Sequence, residues 1–115
     1  MPYMLLIMEP TAQRGERGQA PGMAAYQEML DYTRSLEERG VPLASGSLKS
    51  EAVRLRRRAG QARVLDGPFT ESKEMIGGFF LVKCATRAEA LDLAGACPAA
   101  AWATIEVREV GPCYE

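Results

Sequence analysis

The 115-residue sequence contains no histidine, and this absence excludes several kinds of site. Serine–histidine–aspartate and cysteine–histidine catalysis require an imidazole, as do histidine-ligated metals. Proton transfer near pH 7 would fall to a carboxylate, a lysine, a cysteine or a tyrosine. The three cysteines, Cys84, Cys97 and Cys113, form no CxxC pair, so we expect neither zinc nor a disulfide framework. The sequence likewise predicts no metal site and no cofactor.

The sequence also lacks a strong charge imbalance and a long apolar segment. Its formal net charge of -1 argues against direct nucleic-acid binding, because such proteins usually carry a clear basic excess. The apolar stretch 3–8 is too short to cross a bilayer and lacks the basic flank of a signal peptide. We therefore expect a cytoplasmic protein with no membrane partner. A composition of 47% hydrophobic and 25% charged residues predicts a single globular domain, 1–115.

Several apolar stretches predict β-strands. The continuous runs at 3–8 and 79–82 are typical of central strands that are covered on both faces. Alternating segments on either side of the turn at 58–60 predict a β-hairpin. Shorter extended segments are expected at 41–48 and 103–110.

Two helices are expected between these strands. The first begins at Pro21-Gly22 and ends at Gly40, and the second follows a capping box at Thr86–Glu89 and ends near Cys97-Pro98. The polar segment 10–22 is interpreted as a mobile surface loop or lid. The first helix carries an apolar stripe formed by Met23, Tyr26, Met29, Leu30, Thr33 and Leu36.

The order of these elements predicts an α+β fold of the ferredoxin-like βαββαβ type, with both helices on one face of an antiparallel sheet. The strands at 3–8 and 79–82 are nevertheless apolar on both sides. Something must cover the second face, and a second copy of the chain is the simplest candidate. We therefore expect a homodimer packed sheet against sheet.

The densest motif is the stretch 66–74, Asp-Gly-Pro-Phe-Thr-Glu-Ser-Lys-Glu, followed by Gly77-Gly78. Pro68 has no N–H, so the Asp66 carboxylate cannot close the usual Asx turn onto it. Its partner is then the Phe69 N–H, a basic side chain or a ligand. The two glycines permit a bulge or a close approach of backbone to a ligand. The plainer interpretation is a rigid turn whose charges face water.

Five arginines lie between positions 54 and 63. They could bind an anionic ligand, a nucleic-acid backbone or an acidic partner, but a solvated hairpin explains them as well. Arg54 stands apart because the hairpin would bring it near the Asp66 turn. The candidate ligand-binding residues are Asp66, Gly67, Pro68, Phe69, Glu71, Lys73, Glu74, Gly77, Gly78 and Arg54.

The remaining side chains of note are expected to serve packing. Cys84 and Cys97 follow apolar elements and are interpreted as buried and inert, whereas Cys113 lies in the tail. Tyr26 belongs to the helical stripe and is expected in the core. Trp102, the single tryptophan, is expected to pack in the core or at a dimer interface rather than against a ligand.

The sequence resembles the DGPF-domain proteins of the YCII-related superfamily. The resemblance rests on DGPFTESKEMIGGFFLV, on the opening YMLLI, on AEAL with the following CPAA, and on the closing IEVREV. It implies a dimeric α+β barrel built from two ferredoxin-like subunits. Broader YCII relatives carry a histidine–aspartate pair proposed to be catalytic, and this chain lacks the histidine. Asp66 is the residue that matches the DGPF signature.

Three functions are compatible with these features. The first is a homodimeric small-ligand-binding or regulatory protein with the Asp66 motif at the rim of its cleft. The second is a cofactor-independent enzyme with Asp66 or Glu74 as general base, which requires that carboxylate to face a pocket. The third is a protein-interaction module associated with extracytoplasmic-function sigma factors, which rests on the family resemblance alone.

Overall fold

A computed structural model describes residues 2–67, 69 and 72–114. Three helices and a short 3₁₀ turn alternate with six strands along the described chain. The elements are β1 (Tyr3–Pro10), α1 (Gln13–Arg17), α2 (Gln19–Glu38), β2 (Pro42–Ser47), β3 (Val53–Arg58), β4 (Gln61–Asp66), β5 (Glu74–Val82), α3 (Arg87–Ala96), the 3₁₀ turn (Pro98–Ala101) and β6 (Thr104–Glu109).

The strands form two separate sheets. The main sheet is antiparallel with the order β2-β5-β1-β6, and β3 pairs with β4 in a two-stranded hairpin. The chain is therefore an α+β protein, and this strand order is compatible with a ferredoxin-like plan into which the hairpin is inserted between β2 and β5. The predicted strands and the predicted hairpin are confirmed.

The core lies on one face of the main sheet. Tyr3, Leu5 and Ile7 alternate along β1 as its buried apolar residues, while the residues between them are half-buried. Tyr32 of α2 packs edge-on against Phe80, with 5.4 Å between ring centroids. Its hydroxyl donates a 2.6 Å hydrogen bond to the Leu93 carbonyl of α3, and burial raises the pKa of Tyr32. This residue thereby ties both long helices to the sheet.

The capping box before α3 is confirmed with one adjustment. The Thr86 hydroxyl accepts the Glu89 N–H at 3.2 Å, and the Glu89 carboxylate accepts the Ala85 N–H at 2.8 Å. The glutamate thus reaches one residue further back than the box predicts. Helix α3 then ends at Cys97-Pro98, as expected.

The segment 10–22 is not the predicted loop. It forms α1 and the first turn of α2, with Gly18 at a positive φ of 84° between the two helices. Pro21 is accommodated because a helix's first turn contains N–H groups that have no intrahelical acceptor. The apolar pattern missed α1 because this helix has no buried residue and is fastened by polar side chains instead.

The apolar stripe of α2 is only partly a core stripe. Leu36 is 1% exposed and Met29 packs against the core, but Met23, Tyr26 and Leu30 are exposed. The expectation that Tyr26 is buried is therefore wrong. The end of α2 near Leu36 contacts the sheet, whereas its N-terminal half leaves an open space below it.

The hairpin of β3 and β4 is exposed along its whole length. One face carries Val53, Leu55 and Val64, which are 64%, 65% and 57% exposed. Its register, with Leu55 opposite Val64, places these residues together. The hairpin is thus an arm with an apolar face and an arginine-rich face.

Two cysteines behave as the sequence predicts. Cys84 and Cys97 are buried, and burial raises the pKa of each thiol, whereas Cys113 is exposed. Among the described residues, no helix is both long and apolar enough to span a membrane.

Thr86 provides a test of the helix cap. Replacing it with alanine removes the acceptor for the Glu89 N–H while leaving the core untouched, because Thr86 is exposed. We expect Thr86→Ala to lower the free energy of unfolding by about 0.5–2 kcal/mol in urea denaturation. Thr86→Ser keeps the hydroxyl and should stay near wild type. Equal losses in both variants would show that the hydroxyl does not act as the cap.

Candidate functional site

A cleft of about 600 Å³ opens between the N-terminal half of α2 and the main sheet. The exposed part of the α2 stripe forms one wall, and β1, β2 and β5 form the floor. The polar groups of the cleft come from the ends of β1 and β2 and from α1. Its principal side chains are Ile7, Glu9, Arg14, Arg17, Tyr26, Met29, Leu30, Thr33, Lys49, Phe80 and Trp102.

Glu9 is a buried carboxylate in this cleft. It occupies the next inward position of β1 after Ile7 and is 1% exposed. Its Oε1 lies 2.5 Å from Arg14 Nη2, in an ion pair whose geometry falls outside that of a hydrogen bond. A buried charge is costly unless it has a partner, and Arg14 of α1 is the partner of this carboxylate.

Arg14 also joins α1 to β5 and to the segment after β2. Its Nη1 donates to the Leu48 carbonyl at 2.7 Å, and its Nη2 donates to the Gly77 carbonyl at 3.2 Å. One side chain thereby links α1, the segment after β2, and β5. These contacts are why a helix without buried residues holds its position.

Gly77 makes room for this pair. The pairing of β1 with β5 shifts between Ile7 and Met8, which leaves Gly77 as the extra residue of a β-bulge. A Cβ at this position would overlap the Glu9 carboxylate and would lie 2.9 Å from Arg14 Nη2. The bulge that the sequence allows at Gly77-Gly78 is thus present, and its glycine gives the ion pair its space.

Arg17 and Trp102 line the cleft and contact each other. The Arg17 guanidinium carbon lies 5.0 Å from the centroid of the Trp102 ring, a cation–π contact. Gln13 donates a 2.8 Å hydrogen bond to the Trp102 carbonyl. Three donors here are buried without a hydrogen-bond partner among the described residues: Arg17 Nε, Arg17 Nη1 and Trp102 Nε1. Trp102 therefore lines the cleft, beyond the packing role expected of it.

The charges that line the cleft are unbalanced. Arg14, Arg17 and Lys49 are cationic, and Glu9 is the one carboxylate among the described lining residues. The charge of Glu9 is offset by its ion pair with Arg14. The two other cations, Arg17 and Lys49, therefore give the rest of the cleft a positive field. The arrangement favours an anionic or acceptor-rich group beside apolar walls.

The structure places the Asp66 motif at the base of the hairpin arm. Asp66 ends β4, opposite Val53, and is exposed. The Gly67 N–H donates to the Ala52 carbonyl at 2.6 Å, and a Cβ on Gly67 would lie 2.8 Å from that oxygen. The Arg54 guanidinium carbon lies 3.7 Å from the centroid of the Phe69 ring, so Arg54 does approach this turn. Pro68 and Glu71 lie outside the described residues.

The second half of the motif returns the chain to the main sheet. Thr11 donates from its backbone N–H to the Lys73 carbonyl at 3.0 Å and from its hydroxyl to the Ser72 carbonyl at 2.5 Å. Lys73 and Glu74 are exposed, and Glu74 pairs with Pro10 at the end of β1. The hydrogen bonds of Thr11 thus connect the end of the motif, and with it the hairpin arm, to β1 of the main sheet.

Few of the candidate residues meet at the cleft. Gly77 and Gly78 line it, whereas Asp66, Gly67, Phe69, Lys73, Glu74 and Arg54 do not. The charged residues that do line the cleft were not among the candidates that the sequence suggested. They are Glu9, Arg14, Arg17 and Lys49. One signal was available for Glu9, since it continues the inward-facing series of Tyr3, Leu5 and Ile7 at a charged position.

The described residues contain no group of three or more carboxylates and thiols close enough to hold a metal ion. The polar side chains that line the cleft are one carboxylate, three cations, the Trp102 indole and the hydroxyl-bearing residues Tyr26, Thr33, Ser45 and Ser47.

Gly77 offers a test of the Glu9 site. We expect Gly77→Ala to lower the free energy of unfolding by about 1–3 kcal/mol in urea denaturation, because the methyl group displaces the ion pair. Gly95→Ala is the matched control. Gly95 lies in α3 with open space around its Cα, so this change should be stabilising by about 0.5–1 kcal/mol. A neutral Gly77→Ala would contradict the packing described here.

The double variant Glu9→Ala/Gly77→Ala separates the two contributions. If the methyl group acts through Glu9, the loss from Gly77→Ala should largely vanish once the carboxylate is absent.

Comparison with known proteins agrees with the resemblance noted in the sequence. An uncharacterised protein of Rhizobium meliloti (strain 1021) is 47% identical over 53 residues, which cover 46% of this chain and 43% of that protein. The match thus spans less than half the length of that relative. The family model of the YCII-related domain matches residues 1–113. The chain therefore belongs to the YCII-related domain family.

Proposed function

We propose that this protein is a homodimeric small-ligand-binding protein whose ligand occupies the cleft between α2 and the main sheet. The observation that carries the proposal is the cleft itself, a space of about 600 Å³ that brings a buried carboxylate, two arginines and a tryptophan beside apolar walls. Ligand sites in proteins typically have this size and this mixture of apolar lining with a few convergent polar groups.

The α2 stripe supports this assignment. Tyr26 and Leu30 are 53% and 39% exposed although they continue the pattern that leads to the buried Leu36. Apolar residues that line an open cleft gain burial when a ligand enters, and this favours binding. The exposed apolar residues on this face of α2 are thus placed where a bound ligand would bury them.

A second copy of the chain would cover the other face of the sheet, as in a dimeric barrel of two ferredoxin-like subunits. The register pairs Met4 with Leu81 and Leu6 with Phe79, which places these four half-buried residues on the face away from the helices. On β6 the same face carries Glu106 and Arg108. An apolar centre with a charged margin is the usual anatomy of a protein–protein interface.

A cofactor-independent enzyme is the second candidate, and the position of Glu9 in the cleft favours it. The two carboxylates that the sequence suggested as general base are placed elsewhere. Asp66 and Glu74, the carboxylates considered for this role, are exposed and do not line the cleft. Glu9 does line it, so acid–base chemistry at this cleft would fall to Glu9. Mass spectrometry of a bound ligand after incubation distinguishes the candidates, since an enzyme alters the ligand and a binding protein returns it unchanged.

Filling the cleft tests the ligand-binding function. Ala25 lines the cleft, whereas its neighbour Ala24 is exposed outside it. In a thermal-shift screen of small metabolites, we expect wild type and Ala24→Phe to share a set of stabilising compounds. A ligand that binds only the native state raises Tm by mass action. Ala25→Phe should lose that response, and a library that stabilises all three proteins equally, or none of them, would overturn the proposal.

The quaternary structure is tested by sedimentation equilibrium. We expect wild type to have about twice the 12.5 kDa mass of one chain. Leu81→Lys places a charge in the proposed interface and should shift the protein toward the monomer. Leu91→Lys, at an exposed leucine of α3, is the control and should remain dimeric. A monomeric wild type, or a dimer that both substitutions leave intact, would contradict this interface.

A further inference from the structure

We propose that the ligand of this cleft is a small organic carboxylate with an apolar body, and that its acid group is bound by Arg17 and Trp102. This inference rests on the proposed ligand-binding function and names the chemical class of its ligand. Its basis is the group of donors that Arg17 and Trp102 contribute to the cleft, beside the apolar stripe of α2.

The unpartnered donors are the first argument. Arg17 Nε, Arg17 Nη1 and Trp102 Nε1 are all buried and form no hydrogen bond within the described residues. A buried donor without an acceptor lowers the stability of the fold, so such groups normally have a partner. Three of them on two touching side chains indicate an acceptor with more than one oxygen atom.

Charge is the second argument. The ion pair with Glu9 occupies Arg14, and no ion pair within the described part of the chain involves Arg17 or Lys49. Both of these residues line the cleft. An anion would therefore gain the attraction of two cations in a partly closed site, where electrostatic interactions exceed those in bulk water.

The planar arrangement of the donors favours a carboxylate over a phosphate. A carboxylate presents two oxygens in one plane, which suits one guanidinium edge and one indole N–H. The adjoining wall of Tyr26, Met29 and Leu30 accepts an alkyl or aromatic body rather than a sugar.

Binding requires a small movement of Arg17. Its Nε and Nη1 are closed off from solvent while the guanidinium lies over the Trp102 ring. An arginine side chain has several rotatable bonds, so it can shift from the ring toward an entering carboxylate. Trp102 is the single tryptophan of the chain, and its fluorescence should report this movement directly.

The experiment titrates the full-length protein with octanoate and with octanamide, following Trp102 fluorescence. The two probes share the same alkyl chain and differ in charge. We expect saturable binding of octanoate that is about tenfold or more tighter than that of octanamide, the difference typical of a charge-assisted hydrogen bond. Octyl phosphate should bind more weakly than octanoate.

Variants assign the effect to Arg17. Arg17→Gln should remove most of the preference for octanoate over octanamide, and Arg17→Lys should restore part of it by keeping the charge. Arg63→Gln removes the same charge from the exposed hairpin and should behave as wild type. Far-UV circular dichroism of each variant verifies that it is folded.

The possible failures are distinguishable. If octanoate and octanamide bind equally tightly and Ala25→Phe abolishes both, the cleft is a binding site but the carboxylate inference is wrong. Tighter binding of octyl phosphate would also overturn it, in favour of a phosphate ligand. A preference for octanoate that survives Arg17→Gln would remove Arg17 from the site. No binding of any probe in the fluorescence titration, together with no response in the metabolite screen, would overturn both this inference and the proposed function.

Discussion

The ion pair between Glu9 and Arg14 organises one end of this protein. A carboxylate at an inward position of a central strand has to find a partner, and Arg14 supplies one from α1. The same arginine donates to the carbonyls of Leu48 and Gly77, so it joins α1 to the segment after β2 and to β5. Gly77 has no side chain and is bulged out of the ladder, which provides the space that the pair occupies. The position of α1, and with it one end of the cleft, depends on this buried charge.

The cleft is present because only the C-terminal half of α2 packs against the main sheet. Near Leu36 the helix packs against the sheet, and Tyr32 bonds it to α3. Toward its N-terminus the helix is separated from the sheet by the cleft, which Arg14 and Arg17 of α1 also line. A continuous apolar stripe in the sequence therefore serves as core at one end and as a cleft wall at the other. The arrangement accounts for apolar side chains that are exposed on an otherwise well-packed face.

The DGPF stretch has a clear structural role in the part that the structure describes. Gly67 approaches the Ala52 carbonyl too closely to tolerate a side chain, and Phe69 stacks beneath Arg54. Thr11 then fastens the following residues to the end of β1. These contacts connect the hairpin arm to the main sheet, and they explain why the densest motif of the sequence lies away from the cleft.

The sequence by itself determined the elements whose signal is local: the apolar strands, the hairpin, the capped α3 and the buried cysteines. It also indicated the family, because several short blocks match in order over the chain. It did not reveal α1, since that helix is held by polar contacts to residues distant in sequence rather than by an apolar stripe. Only the tertiary structure brought Glu9, Arg14, Arg17 and Trp102 together. Such a site depends on strand pairing and helix placement, which join segments that are far apart in the chain and carry no shared local pattern.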